Sequence, residues 1–237
     1  METSKEKVVM SWSGGKDSAL ALKEILQNDK YEVVSLLTTV SEGYERISHH
    51  GVRRELLEQQ ARAIGIPLHE IQLPHLNCTN EIYESIMRKA MLEYIEHDVN
   101  KVVFGDIFLE DLREYREKKL AIVGMKAIFP IWKRDTAELV NEFISVGFKG
   151  TICCITKKSL RKEFCGREIN EEFLKDLPDS VDPCGENGEY HSFVYDGPIF
   201  HKPVKIKTGE TILRDVRYFT DLLPTNSISK GDNYEQT

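Results

Sequence analysis

The stretch Ser11-Trp12-Ser13-Gly14-Gly15-Lys16-Asp17-Ser18 decides how the rest of the chain is read. An apolar run, Val8-Val9-Met10, leads into it and a helical run, Ala19-Leu20-Ala21-Leu22-Lys23-Glu24-Ile25-Leu26, leads out, so the local order is strand, loop, helix. Two adjacent glycines let the backbone turn tightly and approach an anion, while the first free N–H groups of the following helix point at that anion. Ser11, Ser13 and Ser18 add hydroxyl donors, and Lys16 adds a positive charge. A Walker A loop is ruled out, because Met10 stands where its first glycine belongs and Asp17 where its hydroxyl residue belongs. A G-x-G-x-x-G dinucleotide fingerprint is absent as well.

Outward from the loop, apolar strands and amphipathic helices alternate. Glu32–Val40 is a β-branched run suited to a strand covered on both faces, and a polar stretch, 41–51, follows it before a helix from Arg53 to Ile64, closed by Gly65. Leu68–Pro74 alternates as a third strand, Thr79-Asn80 caps a helix reaching His97, and Lys101–Ile107 makes a fourth strand. A helix over Leu112–Val123, a short strand over Ala127–Trp132 and a helix over Thr136–Val146 complete the series. The expectation is an α/β fold, a doubly wound parallel five-stranded sheet with the glycine loop at its first strand end. Beyond Gly147 the pattern changes to a strand at 150–156, a capped helix at 170–177 and antiparallel hairpins from Phe193 to Glu210.

With 237 residues, 41% hydrophobic and 30% charged, the chain is long enough for one large domain or a medium one with an appendage. The start lacks a signal-like apolar stretch and no apolar run is long enough to span a bilayer, so a cytoplasmic protein with no membrane partner is expected. Five cysteines, an odd number with no C-x-x-C pair, suggest neither a disulfide framework nor a zinc site. A net charge of −7 argues against a generic nucleic-acid surface but not against ATP, for which a few local donors suffice.

The S-G-G-K-D-S core resembles the PP-loop of the N-type ATP pyrophosphatases, which cleave ATP between the α and β phosphates. A second stretch, 182–198, contains G-E-x-G-E-Y (Gly185 to Tyr190) and V-x-D-G-P (Val194 to Pro198), and resembles the C-terminal signature of the diphthine–ammonia ligase family. With Phe129-Pro130-Ile131-Trp132 between them, the resemblance spans essentially the whole chain. It implies an adenine-nucleotide α-hydrolase-like PP-loop domain and a small C-terminal domain on the acceptor side; the change of pattern beyond Gly147 places these at 1–149 and, as a smaller α+β domain, at 150–224, with a flexible tail over 225–237. It also implies a ligase that uses ATP and Mg²⁺ to adenylate a carboxylate, which ammonia then converts to an amide. Elongation factor 2, carrying diphthine, is the implied partner where the organism makes diphthamide, and a homo-oligomer stays open.

Carried onto matching positions, Ser11, Ser13, Gly14, Gly15, Lys16, Asp17 and Ser18 hold the phosphates, with Thr38 and Thr39 at the second strand end lining the adenine pocket. Lys16, Asp17, Glu186, Glu189 and His191 are the catalytic candidates, and His49, Arg53, Asp106, Asn187 and Gly188 the substrate-binding ones. Asp17 and Asp106 are the Mg²⁺ candidates. Plainer readings compete at several positions: a turn or cap role for Asp106, an ion-paired helix residue for Arg53, an ordinary turn histidine for His49 and His191, and β-propensity alone for Thr38 and Thr39. Two departures from the family pattern, His191-Ser192 where Glu-Thr is usual and Arg46-Ile47-Ser48-His49 where a Met-aromatic-His segment is usual, leave the acceptor open. Two rival functions are a non-catalytic module that binds ATP or AMP, and a PP-loop enzyme that modifies nucleotides.

Overall fold

The computed structural model describes residues 5–43, 46–47, 51–74 and 77–225. In chain order the first part comprises β1 (Glu6–Ser11), α1 (Lys16–Leu26), β2 (Tyr31–Ser41), a two-residue β3 (Arg46–Ile47), α2 (Arg54–Ile64), β4 (Leu68–Leu73), α3 (Asn80–Ile95), β5 (Lys101–Val103), α4 (Glu110–Ile122), β6 (Lys126–Ile128) and α5 (Thr136–Ser145). Five strands pair in parallel in the spatial order β4-β2-β1-β5-β6, with β3 antiparallel on the far end of β2. Chain order therefore runs outward from β1 to β4 and then reverses, starting again at β5 beside β1. That reversal between β1 and β5 is the topological switch of a doubly wound sheet, and the loop after β1 opens at it.

The second part comprises β7 (Lys149–Thr156), α6 (Glu171–Asp176), β8 (Tyr190–Asp196), β9 (Ile206–Arg214) and β10 (Arg217–Pro224). Its four strands are all antiparallel in the order β8-β7-β10-β9. The strand expected to open the hairpins, β8, pairs back onto β7 and not onto β9. The hairpin is instead β9–β10, which turns at Asp215, with φ 51°, and Val216. The expected tail lies outside the described residues from 226 onward.

Element ends follow local chemistry. Thr79, Asp135 and Asn170 each accept an N–H from three residues on and so start α3, α5 and α6. Gly65, with φ +82°, closes α2 in the left-handed conformation. Arg53 is the N-cap of α2 and not its first turn. β5 ends at Val103, short of the expected Ile107, and β6 ends at Ile128, because Pro130 has no N–H and the chain turns over to Lys133 with φ +58°.

Two apolar clusters sit on opposite faces of the parallel sheet. One, against α3 and α4, contains Val9, Leu37, Met91, Val102, Phe104 and Leu120. The other contains α1 residues Leu20, Leu22 and Ile25 and α2 residues Leu56 and Leu57, and it continues into Ile152, Phe173, Phe193 and Val194 of the second part. Helix α1 is thus covered by both sheets, so its N-terminus lies where they meet.

Candidate functional site

The loop after β1 is held by contacts that only small residues permit. Gly14 has φ +77°, and a Cβ there would come within 2.7 Å of Gln60 Oε1. Within the loop, Ser13 Oγ accepts from Gly15 N–H at 3.3 Å and lies 3.1 Å from Ser18 Oγ, whose hydroxyl donates to the Gly15 carbonyl at 2.9 Å. Gly15 is the N-cap of α1 and has no side chain to fill that role. Ser192 of β8 fills it, its Oγ accepting from Lys16 N–H at 3.1 Å. From the other side, the turn after β5 presses in so closely that a Cβ on Gly105 would sit 2.8 Å from the Asp17 backbone carbonyl.

Lys16 is only 1% exposed. Its ammonium donates to Asp17 Oδ1 at 2.6 Å and to the Cys184 carbonyl, and lies 5.3 Å from the centre of the Tyr190 ring. Burial alone would lower its pKa, but the charge of Asp17 and its other neighbours outweighs that and holds the ammonium well above its ordinary value. The Asp17 side chain stays 30% exposed. Burial of the carboxyl raises its pKa, with Lys16 pulling the other way.

Three further carboxylates, Asp106, Glu186 and Asp182, approach the same edge. Asp106 is paired with Arg116, Oδ2 to Nε at 2.8 Å, and the guanidinium also covers the Phe104 ring at 4.3 Å. Burial raises the Asp106 carboxyl against the pull of Arg116. Glu186 Oε1 accepts from Ile107 N–H at 2.8 Å, and burial pushes this carboxyl up to about 7, with the negative charges of Asp17 and Asp106 adding to the shift. Asp182 organises its own loop, Oδ1 accepting from Cys184 N–H at 2.9 Å and Glu186 N–H at 3.1 Å, and Oδ2 from the Thr136 hydroxyl at 2.7 Å. Glu189 Oε1 accepts from Asp182 N–H and from Asn187 Nδ2, both at 3.2 Å. Among the described residues no three His, Cys, Asp or Glu side chains converge on one metal position.

The loop opens onto a cleft of about 560 Å³ between α3 and α4. Ser11, Trp12 and Ser13 form one end with Thr38 and Thr39, Val102 and Phe104 contribute apolar lining, and Tyr83, Tyr115 and Arg116 also border it. Its dimensions and its mix of aromatic and polar groups suit a nucleoside.

The structure brings Ser11, Ser13, Thr38 and Thr39 to this cleft, and Lys16, Asp17, Asp106 and Glu186 to the adjoining edge. Glu189 and Asn187 face into their own loop, and the Gly188 carbonyl accepts from the Thr156 hydroxyl at 2.8 Å. Strand alternation turns Tyr190 and Ser192 toward α1 and leaves His191 on the opposite face, its Nε2 3.3 Å from Arg217. Arg53 is engaged by both oxygens of Asp221, at 3.0 and 2.6 Å, with Arg46 on the same carboxylate at 3.0 Å. Those hydrogen bonds hold Asp221 below the usual carboxylate range. His49 lies outside the described residues.

Sequence reasoning passed over Gln60, Gly105, Arg116 and Asp182. Gln60 alone carried a usable signal, since it interrupts the apolar stripe Leu56, Leu57, Ala61, Ile64 on the buried face of α2.

The chain is similar to diphthine–ammonia ligases across most of its length. It is 24% identical to that of Danio rerio over 227 residues, covering 87% of this chain and 89% of the relative. The human protein is 22% identical, covering 87% of this chain and 85% of its own. The Schizosaccharomyces pombe protein is 25% identical and much longer, this chain spanning only 37% of it. Two family models tile the sequence, the diphthamide synthase N-terminal domain over residues 6–127 and the diphthamide synthase C-terminal domain over 135–226. Loop, switch-point sheet and the second sheet closing on α1 thus coincide with those two matches, and the chain belongs to the diphthamide synthase family.

Proposed function

We propose that the protein is an ATP-dependent, AMP-forming ligase that activates a carboxylate as its adenylate and amidates it with ammonia. The observation that carries this reading is the loop Ser11–Ser18, which brings hydroxyls and the N-terminus of α1 to the end of a nucleoside-sized cleft, beside a cluster of carboxylates. ATP binds with its base and ribose in the cleft near Thr38 and Thr39 and its phosphates along Ser13 to Ser18. The substrate carboxylate oxygen forms a bond to the α phosphorus while the bond to the bridging oxygen of the β phosphate breaks, releasing pyrophosphate. Ammonia nitrogen then bonds to the acyl carbon, AMP departs with the former carboxylate oxygen, and the nitrogen loses a proton. Glu186, whose carboxyl titrates near neutrality, is our candidate to take that proton.

Mg²⁺ is compatible with the residues at the edge: Asp17 keeps an accessible carboxylate, and Asp106 Oδ2, though ion-paired with Arg116, is buried without a hydrogen bond. Asp17 and Asp106 are the residues that would hold the ion, which would supply charge offsetting that of the departing pyrophosphate. The names of the relatives support diphthine as the carboxylate, and the family resemblance of the sequence implies elongation factor 2 as its carrier. The direct test is exchange of labelled pyrophosphate into ATP. Label should enter ATP only when the carboxylate substrate is present, and adding ammonium should yield AMP and pyrophosphate in equal amounts. ADP and phosphate as the products would overturn the proposal.

A further inference from the structure

Gln60 lies on α2, is 0% exposed, and none of its atoms reaches the cleft. Its amide nonetheless ties three segments together. Oε1 accepts from the Trp12 indole N–H at 3.0 Å, and Nε2 donates to the Gly14 carbonyl at 3.0 Å and to the Val194 carbonyl at 2.5 Å. An indole nitrogen can only donate and a carbonyl can only accept, so one orientation of the amide satisfies all three partners. Val194 N–H also donates to the Gly14 carbonyl, at 2.9 Å.

We infer that Gln60 is a positioning residue for phosphate binding, acting through the Gly14–Gly15 peptide; the inference rests on the ATP reading above. In a trans peptide the carbonyl and the following N–H point in opposite directions. With the Gly14 carbonyl fixed toward Gln60 and β8, the Gly15 N–H is fixed toward the Ser13 and Ser18 hydroxyls, where the loop opens. Without Gln60 only the Val194 N–H would hold the Gly14 carbonyl, and a peptide that turned would set its negative end against the phosphates. The glycine at 14 is needed for the same contact, since its φ of +77° and the 2.7 Å approach of Oε1 leave no room for a side chain. Because Nε2 also holds Val194, the loop and the strand carrying Ser192 keep a fixed spacing.

Gln60→Glu keeps the shape and the acceptor for Trp12 but removes the two N–H donors, and Gln60→Met keeps the length without hydrogen-bonding groups. Calorimetric titration of wild type and both variants with α,β-methylene ATP and, separately, with adenosine isolates the phosphate contribution. The expected result is a loss of about tenfold or more in affinity for the triphosphate with adenosine affinity within about twofold of wild type. Equal losses for both ligands would mean that Gln60 only supports the fold, and unchanged affinities would mean that the loop holds itself; either overturns the inference. A wild-type protein that binds neither ligand would instead remove the ATP reading, and this inference with it.

Discussion

The loop after β1 and the loop from Asp182 to Ser192 face each other across the N-terminus of α1, and they are stabilised in opposite ways. The first is shaped largely from outside: Gln60 of α2 takes its carbonyl, Ser192 of β8 caps its helix, and Gly105 after β5 limits its width. The second is shaped from within. Asp182 accepts two N–H groups of its own loop, Glu189 accepts from Asp182 and Asn187, and the Tyr190 hydroxyl donates to the Pro183 carbonyl at 2.5 Å. A loop braced from outside takes its width and the direction of its peptides from neighbouring elements. Toward the first loop and the turn after β5 the second presents Ser192, the carbonyl of Cys184 and Glu186.

This contrast can be broken most severely at Gly105. A methyl group there meets backbone atoms of Asp17 and Ser18 at 2.8 to 2.9 Å, and backbone cannot move aside as a side chain tip can. Gly105→Ala should cost about 3 kcal/mol of stability, measured by denaturant unfolding, and should weaken ATP binding although residue 105 lies outside the loop. Retention of wild-type stability and affinity would show that the loop needs no brace from β5.

The counterpart inside the second loop is Gly185→Ala. Gly185 has φ +69°, and an added methyl would meet the buried Tyr190 ring at 2.7 Å, a ring whose hydroxyl is held by the Pro183 carbonyl. About 2 kcal/mol of destabilisation is expected, with ATP–pyrophosphate exchange affected less than amide formation. An equal loss of both activities would mean that the two loops are not separately organised.

The effect most dependent on pH belongs to Glu186→Gln. The folded carboxyl titrates at about 7 against an ordinary 4.5, so the folded chain holds a proton that the unfolded chain has lost. Its contribution to stability is therefore complete below about 4.5 and is lost as pH rises through 7. Relative to wild type, the variant should become more stable across that interval, while still accepting from Ile107 N–H. Thermal midpoints of the pair from pH 4.5 to 8 test this, and parallel curves would place the Glu186 carboxyl at its ordinary value.

The loop after β1 was legible in the sequence because its residues are consecutive, with the flanking periodicities fixing strand and helix. The alternation of strands and helices likewise carried the parallel sheet, since each unit is local. What escaped is set by distance along the chain. Nothing near Lys16 announces that residue 192 caps it, and nothing in the turn-rich stretch 182–189 says that most of its polar groups face one another. His191 and Ser192 are neighbours in the motif, yet the two-residue period of β8 sends them to opposite faces, so only Ser192 reaches the loop. Arg53 could be read as a clamp for an anion or as half of an ion pair, and its partner Asp221 lies 168 residues on.

Helix α1 is packed between the two sheets, its apolar residues continuous with Ile152, Phe173 and Phe193. A ligand held at its first turn is therefore anchored to the hydrophobic interior common to both halves. If a nucleotide binds there as proposed, its stabilisation by mass action should raise the melting point of the antiparallel sheet together with that of the parallel one, even though no strand of the former lines the cleft.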